Sequence, residues 1–124
     1  MASPNIVGLG TIIGLTTVYS TPNSSENVFL SAPGSTNALF KVNNIIVSNT
    51  TSSTVNATIS FRSAAGGGGT AFKLANSTAI PAFSTLVVID KASAIYLEEN
   101  KSLTITSSNG SGFLDVVASY EIIR

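Results

Sequence analysis

An alternation of apolar and polar residues with a period of two constrains the fold of this chain more than any other feature. Val55, Ala57, Ile59 and Phe61 interleave with Thr54, Asn56, Thr58, Ser60 and Arg62. Leu114, Val116, Ala118, Tyr120 and Ile122 repeat the pattern near the C-terminus. Phe40/Val42, Phe72/Leu74, Ile95/Leu97 and Leu103/Ile105 are shorter instances. Successive side chains of a strand point to opposite faces, so such a segment has one face for a core and one for water. The intervening residues are mainly Thr, Ser, Lys and Glu, as in antiparallel strands with one wet face. No window carries a helical stripe.

Breaks fall between these runs. Residues 31–35 separate a short strand at 28–30 from one beginning near Ala38, and 48–53 and the glycines of 66–69 mark further turns. Pro81 precedes an apolar run at 86–89, and 98–101 turns Ile95/Leu97 into Leu103/Ile105. Asn109-Gly110 is the sequence signal for a type I′ hairpin, whose two central residues take positive φ. The resulting count of about eight to ten short strands at roughly ten-residue spacing predicts an all-β fold. We expect a two-sheet antiparallel β-sandwich, with jelly-roll or immunoglobulin-like connectivity both open. A chain of 124 residues is one domain, large enough to bury a core without staples.

Residues 1–20 stand apart as an N-terminal strand or arm, with 21–124 as the sandwich. Over 6–18 both alternating faces are apolar, with Leu9, Ile13 and Leu15 on one and Ile12 and Val18 on the other. Two readings follow: a strand buried in the domain's own sheet, or an arm that packs on or swaps into a neighbouring subunit. Either needs a partner strand. The segment lacks a positive n-region and is broken by Gly8, Gly10 and Gly14, so it reads as mature structure, neither signal peptide nor membrane span.

Composition narrows the chemistry. Charged residues are 10% of the chain, there are six basic and six acidic residues, and His, Cys and Trp are absent. An ordinary soluble domain is about 25% charged. Dispersed Lys41, Arg62, Lys73, Lys91, Lys101 and Arg124 form no basic run, which argues against nucleic acid as a partner. A surface with few charges and no net repulsion is poorly protected against association and suits a protein packed against neighbours.

No motif supplies a reaction. The glycines at 66–69 are followed by Thr70-Ala71-Phe72, where a phosphate loop needs Gly-Lys-Ser/Thr, so they read as a flexible hairpin tip. The carboxylates Glu26, Asp90, Glu98, Glu99, Asp115 and Glu121 show no pairing of the kind glycoside hydrolysis uses. Asp115 and Glu121 belong on the outer face of one strand. No Asp-x-Asp-x-Asp calcium loop is present, and serine has no His to activate it. Lys73 and Lys101 belong at outward strand or turn positions. Asn-x-Ser/Thr tripeptides at Asn23, Asn49, Asn56, Asn76, Asn100 and Asn109 are expected from composition and to be unmodified. Tyr19, Phe29, Tyr96 and Phe113 are the candidates for exposed aromatics, while most Phe residues sit at inward positions. The reading therefore assigns no catalytic, cofactor-binding or metal-ligating residue.

The stretches LFKVNNIIVSNTTSSTVNATISF, GGTAFKLANSTAIPAFSTLVVIDKASAIYLEENKSLTI and LDVVASYEII resemble small virion structural proteins of tailed bacteriophages, particularly those of marine hosts. The resemblance spans roughly residues 38–123 and rests on strand and turn phrasing. It implies a non-enzymatic capsid decoration (cement) protein that contacts the major capsid protein or other virion proteins as a homo-oligomer. It also implies a location in the virion, and the absence of a signal peptide read above leads us to expect synthesis in the host cytoplasm. Neck, tail or fibre-associated proteins, and a glycan-binding adhesin domain, are the alternatives. Residues 1–20 and the loops at 31–37 and 63–70 are the expected contacts.

Overall fold

The structure, a computed structural model, describes residues 10–34, 37–111 and 113–124. Among them are nine strands: β1 (Ile12–Ser20), β2 (Asn27–Ala32), β3 (Leu39–Asn49), β4 (Val55–Arg62), β5 (Ala71–Ile80), β6 (Thr85–Ile89), β7 (Ile95–Leu97), β8 (Lys101–Ser107) and β9 (Leu114–Ile123). They form two antiparallel sheets. One, sheet A, has the order β1-β9-β3-β6, with β7 pairing with β3 alongside β6; the other, sheet B, has the order β2-β8-β4-β5.

The chain changes sheet at nearly every connection. Only β4 and β5 are sequence neighbours that also pair within a sheet. This is a jelly roll, two Greek keys wrapped into a sandwich, and it decides between the two connectivities the sequence left open. The inward faces supply the core: Val42, Ile45, Val47, Ala57, Ile59, Leu97, Leu103, Ile105, Leu114 and Ala118 are fully buried.

Three local features depart from the sequence reading, each for a physical reason. First, Asn43 is an extra residue in β3, where the pairing with β9 steps from Val42↔Tyr120 to Asn44↔Ser119. This bulge resets the alternation, so Phe40 and Val42 face inward before it and Ile45 and Val47 after it. Second, Asn109-Gly110 is not a type I′ hairpin. Strands β8 and β9 lie in different sheets, so their connection crosses the sandwich. Among the described residues of that loop the positive φ falls on Phe113, at 66°, and Asn109 Oδ1 accepts from the Ser111 N–H at 2.9 Å.

Third, the glycine run is docked rather than flexible. A 3-10 turn at Ala65–Gly67 folds back over the outer side of sheet B. Gly66 N–H donates to Ser31 Oγ and Gly67 N–H to Ser102 Oγ, while Ser102 Oγ donates to the Ala64 carbonyl at 2.7 Å. Gly67 has φ of 79°, and a Cβ there would stand 3.0 Å from Val28 Cγ2. Only glycine meets both demands without strain. This cover is one reason Ser102 and Thr104, on the nominally wet face of β8, are buried.

Candidate assembly surface

The outer faces of the two sheets differ in kind. On sheet B, Thr104 pairs with Ser60 and Ser60 with Lys73. Over this row Arg62 Nε donates to Glu26 Oε2 at 2.9 Å and Thr104 Oγ1 donates to the same oxygen at 2.6 Å. A second guanidinium nitrogen of Arg62 closes the ion pair on Glu26 Oε1. The Arg62 hydrogen bond is the main cause holding the Glu26 carboxyl below its ordinary pKa, against a smaller opposing effect of burial. With the docked 63–70 loop, these contacts cover sheet B's outer side over β2, β8 and β4, while β5 at the edge stays exposed.

Sheet A's outer face is bare. Residues directly opposite in antiparallel strands share a face, and the register places Val18 beside Val117, Val117 beside Ile46 and Ile46 beside Val87. Four β-branched aliphatic side chains thus form one row across β1, β9, β3 and β6. Val18 is 71%, Val87 57% and Val117 36% exposed, with Ile46 half-buried. The row behind them on the inward side, Tyr19, Val116, Val47 and Leu86, packs into or against the core.

Polar rows flank the aliphatic one, and their groups bond one another. Ser20 Oγ donates to Asp115, and the Ser48 and Thr85 hydroxyls lie 3.1 Å apart. On the other side the Ser119 N–H donates to Asn44 Oδ1 at 3.0 Å, and Thr16 and Ser119 hydroxyls approach to 3.5 Å. Beyond them Asn43 Nδ2 donates to Glu121 Oε1, across from Lys41. A polar group already bonded in the plane of a sheet loses little when another layer covers it. Shallow depressions on this side, one of ≈ 430 Å³ along Val18, Ser20, Asp115 and Val117, offer relief for a partner's side chains but no enclosed cleft.

The carboxylates are dispersed. Glu26 pairs with Arg62, Asp115 takes the Ser20 hydroxyl, and Glu121 takes the Asn43 amide. Asp90 caps the turn at Lys91–Ser93, accepting from the Ala92 and Ser93 N–H groups. Glu98 and Glu99 lie together in the turn between β7 and β8, with Glu99 buried. Among the described residues no three acidic groups gather as a metal site would need, and no helix is long and apolar enough to cross a membrane. Lys73 Nζ lies 3.4 Å from Ser60 Oγ, and Lys101 Nζ 3.4 Å from the Ser63 carbonyl.

The aromatic expectations hold in part. Tyr96 and Phe113 are 48% exposed, but Phe29 is buried and Tyr19 packs against the core. Phe72 and Phe83 are exposed instead, at 59% and 73%. Phe72 sits on β5, an edge strand of sheet B, opposite Phe61 on β4. Phe83 and Phe113 flank the β3–β4 turn, where the Phe83 N–H donates to the Thr51 carbonyl and the Thr50 N–H to the Phe113 carbonyl. Of the expected contact segments, 1–9 and 35–36 lie outside the described residues.

The fold therefore defines a jelly-roll sandwich with an exposed aliphatic row on one face and a covered polar centre on the other. Its likeness is to a chain in the structure of infectious bursal disease virus, Gx strain, with a TM-score of 0.52 at 13% identity. The match covers 93% of this chain and 32% of that one, so this protein spans about a third of the viral chain's length. No protein-family model and no curated protein matches the sequence.

Proposed function

We propose that this protein is a virion structural protein without catalytic activity, and more narrowly a decoration protein on the head of a tailed bacteriophage. The observation that carries the reading is the uncharged aliphatic row on sheet A, flanked by polar groups already bonded to one another. That combination suits a surface that spends its life covered. Burying the exposed parts of Val18, Val87 and Val117 removes roughly 250 Å² of apolar surface from water, worth about 6 kcal/mol at most. Association itself costs about 4–15 kcal/mol. One copy binding through this row alone is marginal, and many copies on a repeating lattice gain from multivalency. The fold likeness to a chain of a virus structure supports the virion reading in architecture, and the resemblance of 38–123 to phage proteins supports the narrower one. The major capsid protein is the proposed partner.

A glycan-binding role at a tail tip would call for one aromatic platform. Here only Phe83 and Phe113 stand together, beside the β3–β4 turn, while Tyr96 and Phe72 lie elsewhere, which weighs against a broad sugar platform. The choice of the head rests on the aliphatic row and the resemblance. Antibody labelling of intact particles tests the assignment. Label spread over the head supports decoration. Label confined to the tail or neck overturns decoration, and particles free of the protein overturn the virion role altogether.

A further inference from the structure

Each sheet of the sandwich has two edges, and three of the four carry protection against pairing with another chain. Strand β2 is short, has a register shift between Val28 and Leu30, and is tied at Ser31 to the Ala65–Gly67 turn. Strand β5 carries register shifts, a left-handed Ser77 at φ 49° and exposed Lys73. The β6/β7 edge is broken into strands of five and three residues by the turn bearing Lys91. Bulges, brevity and edge lysines are the usual devices against edge pairing.

Strand β1 has none of them. Its nine residues pair with β9 without a register shift, and no charged residue precedes Glu26 in the sequence. The mutual bonds of Thr11 and Arg124 and the Thr21 bond to Leu114 show that odd-numbered residues turn their backbone groups toward β9. The even-numbered ones, Ile12 to Ser20, turn theirs to the open edge, where no described residue meets them. Ile12, Ile13, Leu15 and Val18 expose 60%, 36%, 41% and 71% of their surface.

We infer that β1 pairs antiparallel with β1 of a second copy, about a two-fold axis through Thr16, joining two A sheets into one. The strand is self-complementary in this register. Thr16 meets Thr16, Gly14 meets Val18 and Ile12 meets Ser20, so every free N–H and C=O along the strand finds a partner. Ile13 then faces Tyr19 and Leu15 faces Thr17 on the inward side, so inward residues stay inward. Aliphatic–aromatic and Thr–Thr are favourable cross-strand pairs, and no like charges oppose one another because the strand has none. The four exposed aliphatic side chains present roughly 400 Å² per copy, of which the neighbouring strand covers the flanks only, so the contact rests chiefly on backbone pairing and lies below the usual size of specific interfaces. The pairing stands on β1 alone and holds whether or not the protein belongs to a virion.

The test uses the full chain in solution. Sedimentation analysis should show a concentration-dependent dimer. Gly14→Pro removes an edge N–H that has no bond among the described residues, and a Cβ at Gly14 meets nothing, so the fold should persist while the dimer weakens by about tenfold or more. Leu15 and Thr17 of the two copies face each other as a non-bonded pair, with Cα atoms about 4.5 Å apart, within disulfide reach. The chain has no cysteine of its own, so an oxidised dimer of mixed Leu15→Cys and Thr17→Cys proteins reports this contact. Neither variant should cross-link singly, and Thr16→Cys should be joined to itself by a short thiol-reactive cross-linker. A monomer at high concentration, a dimer that survives Gly14→Pro in a folded variant, or cysteines that fail to cross-link in this pattern each overturn the inference. If Gly14→Pro does not fold, the cysteine pattern decides alone.

Discussion

Replacing Asn49 with alanine should destabilise the domain far more than an asparagine at a strand end ordinarily would. Asn49 closes β3, is 2% exposed, and uses all its polar capacity. Its amide donates to the carbonyls of Ser53 at 2.7 Å, Ile80 at 2.9 Å and Pro81 at 3.2 Å. Its Oδ1 accepts from the Thr51 N–H at 2.9 Å and the Thr51 hydroxyl at 2.8 Å. One side chain thereby ties the β3–β4 turn to the end of β5. Alanine leaves the Ile80 carbonyl buried beside the lost donor, while the groups near Thr51 and Ser53 recover water. Counting only the bonds to the Ile80 and Pro81 carbonyls at about 1 kcal/mol net each, plus about 1 kcal/mol for the stranded Ile80 acceptor, gives a loss of about 3 kcal/mol. For a domain of this size that is a fall in melting temperature of about 12 °C. The comparison is Asn23→Ala, whose exposed Oδ1 accepts from the Ser25 N–H at 2.9 Å; water replaces it, and the cost should stay below about 1 kcal/mol. Thermal and urea unfolding followed by circular dichroism measure both. Equal melting temperatures for the two variants would refute the reasoning.

Other expectations follow from the same geometry. Gly67→Ala should cost about 1–2 kcal/mol, from its φ of 79° and the close Val28 methyl, whereas Gly110→Ala, with open space around its Cβ, should melt with the native protein. Glu26 is held below its ordinary pKa by Arg62, so its contribution is present above the unfolded-state pKa and disappears as pH falls through the lower folded value. Melting temperatures from pH 6 to pH 3 should therefore fall more steeply for the native protein than for Glu26→Gln, and parallel curves would contradict the linkage. Val18→Lys and Val87→Lys, at exposed positions, should each change stability by less than about 0.5 kcal/mol, as urea titration would show.

Much of the architecture was readable because the relevant signals are local. Val55 to Phe61 and Leu114 to Ala118 alternate without interruption, and they became β4 and β9 with the expected residues inward. What escaped notice depends on residues distant in sequence. The Asn43 bulge makes sense only against β9, which lies beside β3 after a long excursion of the chain. Thr104 and Ser102 read as wet-face residues because nothing nearby announces that the glycine loop and Glu26 cover them. Asn49 read as part of a sequon, since its carbonyl partners come from Ser53, Ile80 and Pro81. The aliphatic row is the most instructive case. Val18, Ile46, Val87 and Val117 are unremarkable singly, and only the register of four strands lines them up. The shortage of charge, by contrast, was plain from composition, and the structure locates its consequence on one face of sheet A.

Docking through that face is the central claim of the proposed decoration role, and under that proposal binding to phage heads stripped of the protein tests it most directly. Native protein should co-sediment with such heads, and Val18→Lys/Val87→Lys should lose binding while keeping its melting temperature. A charge reversal at Lys73, exposed on sheet B, should leave binding intact. Undiminished binding by the double lysine variant, or loss only on changing Lys73, would contradict the assignment of sheet A as the docking face.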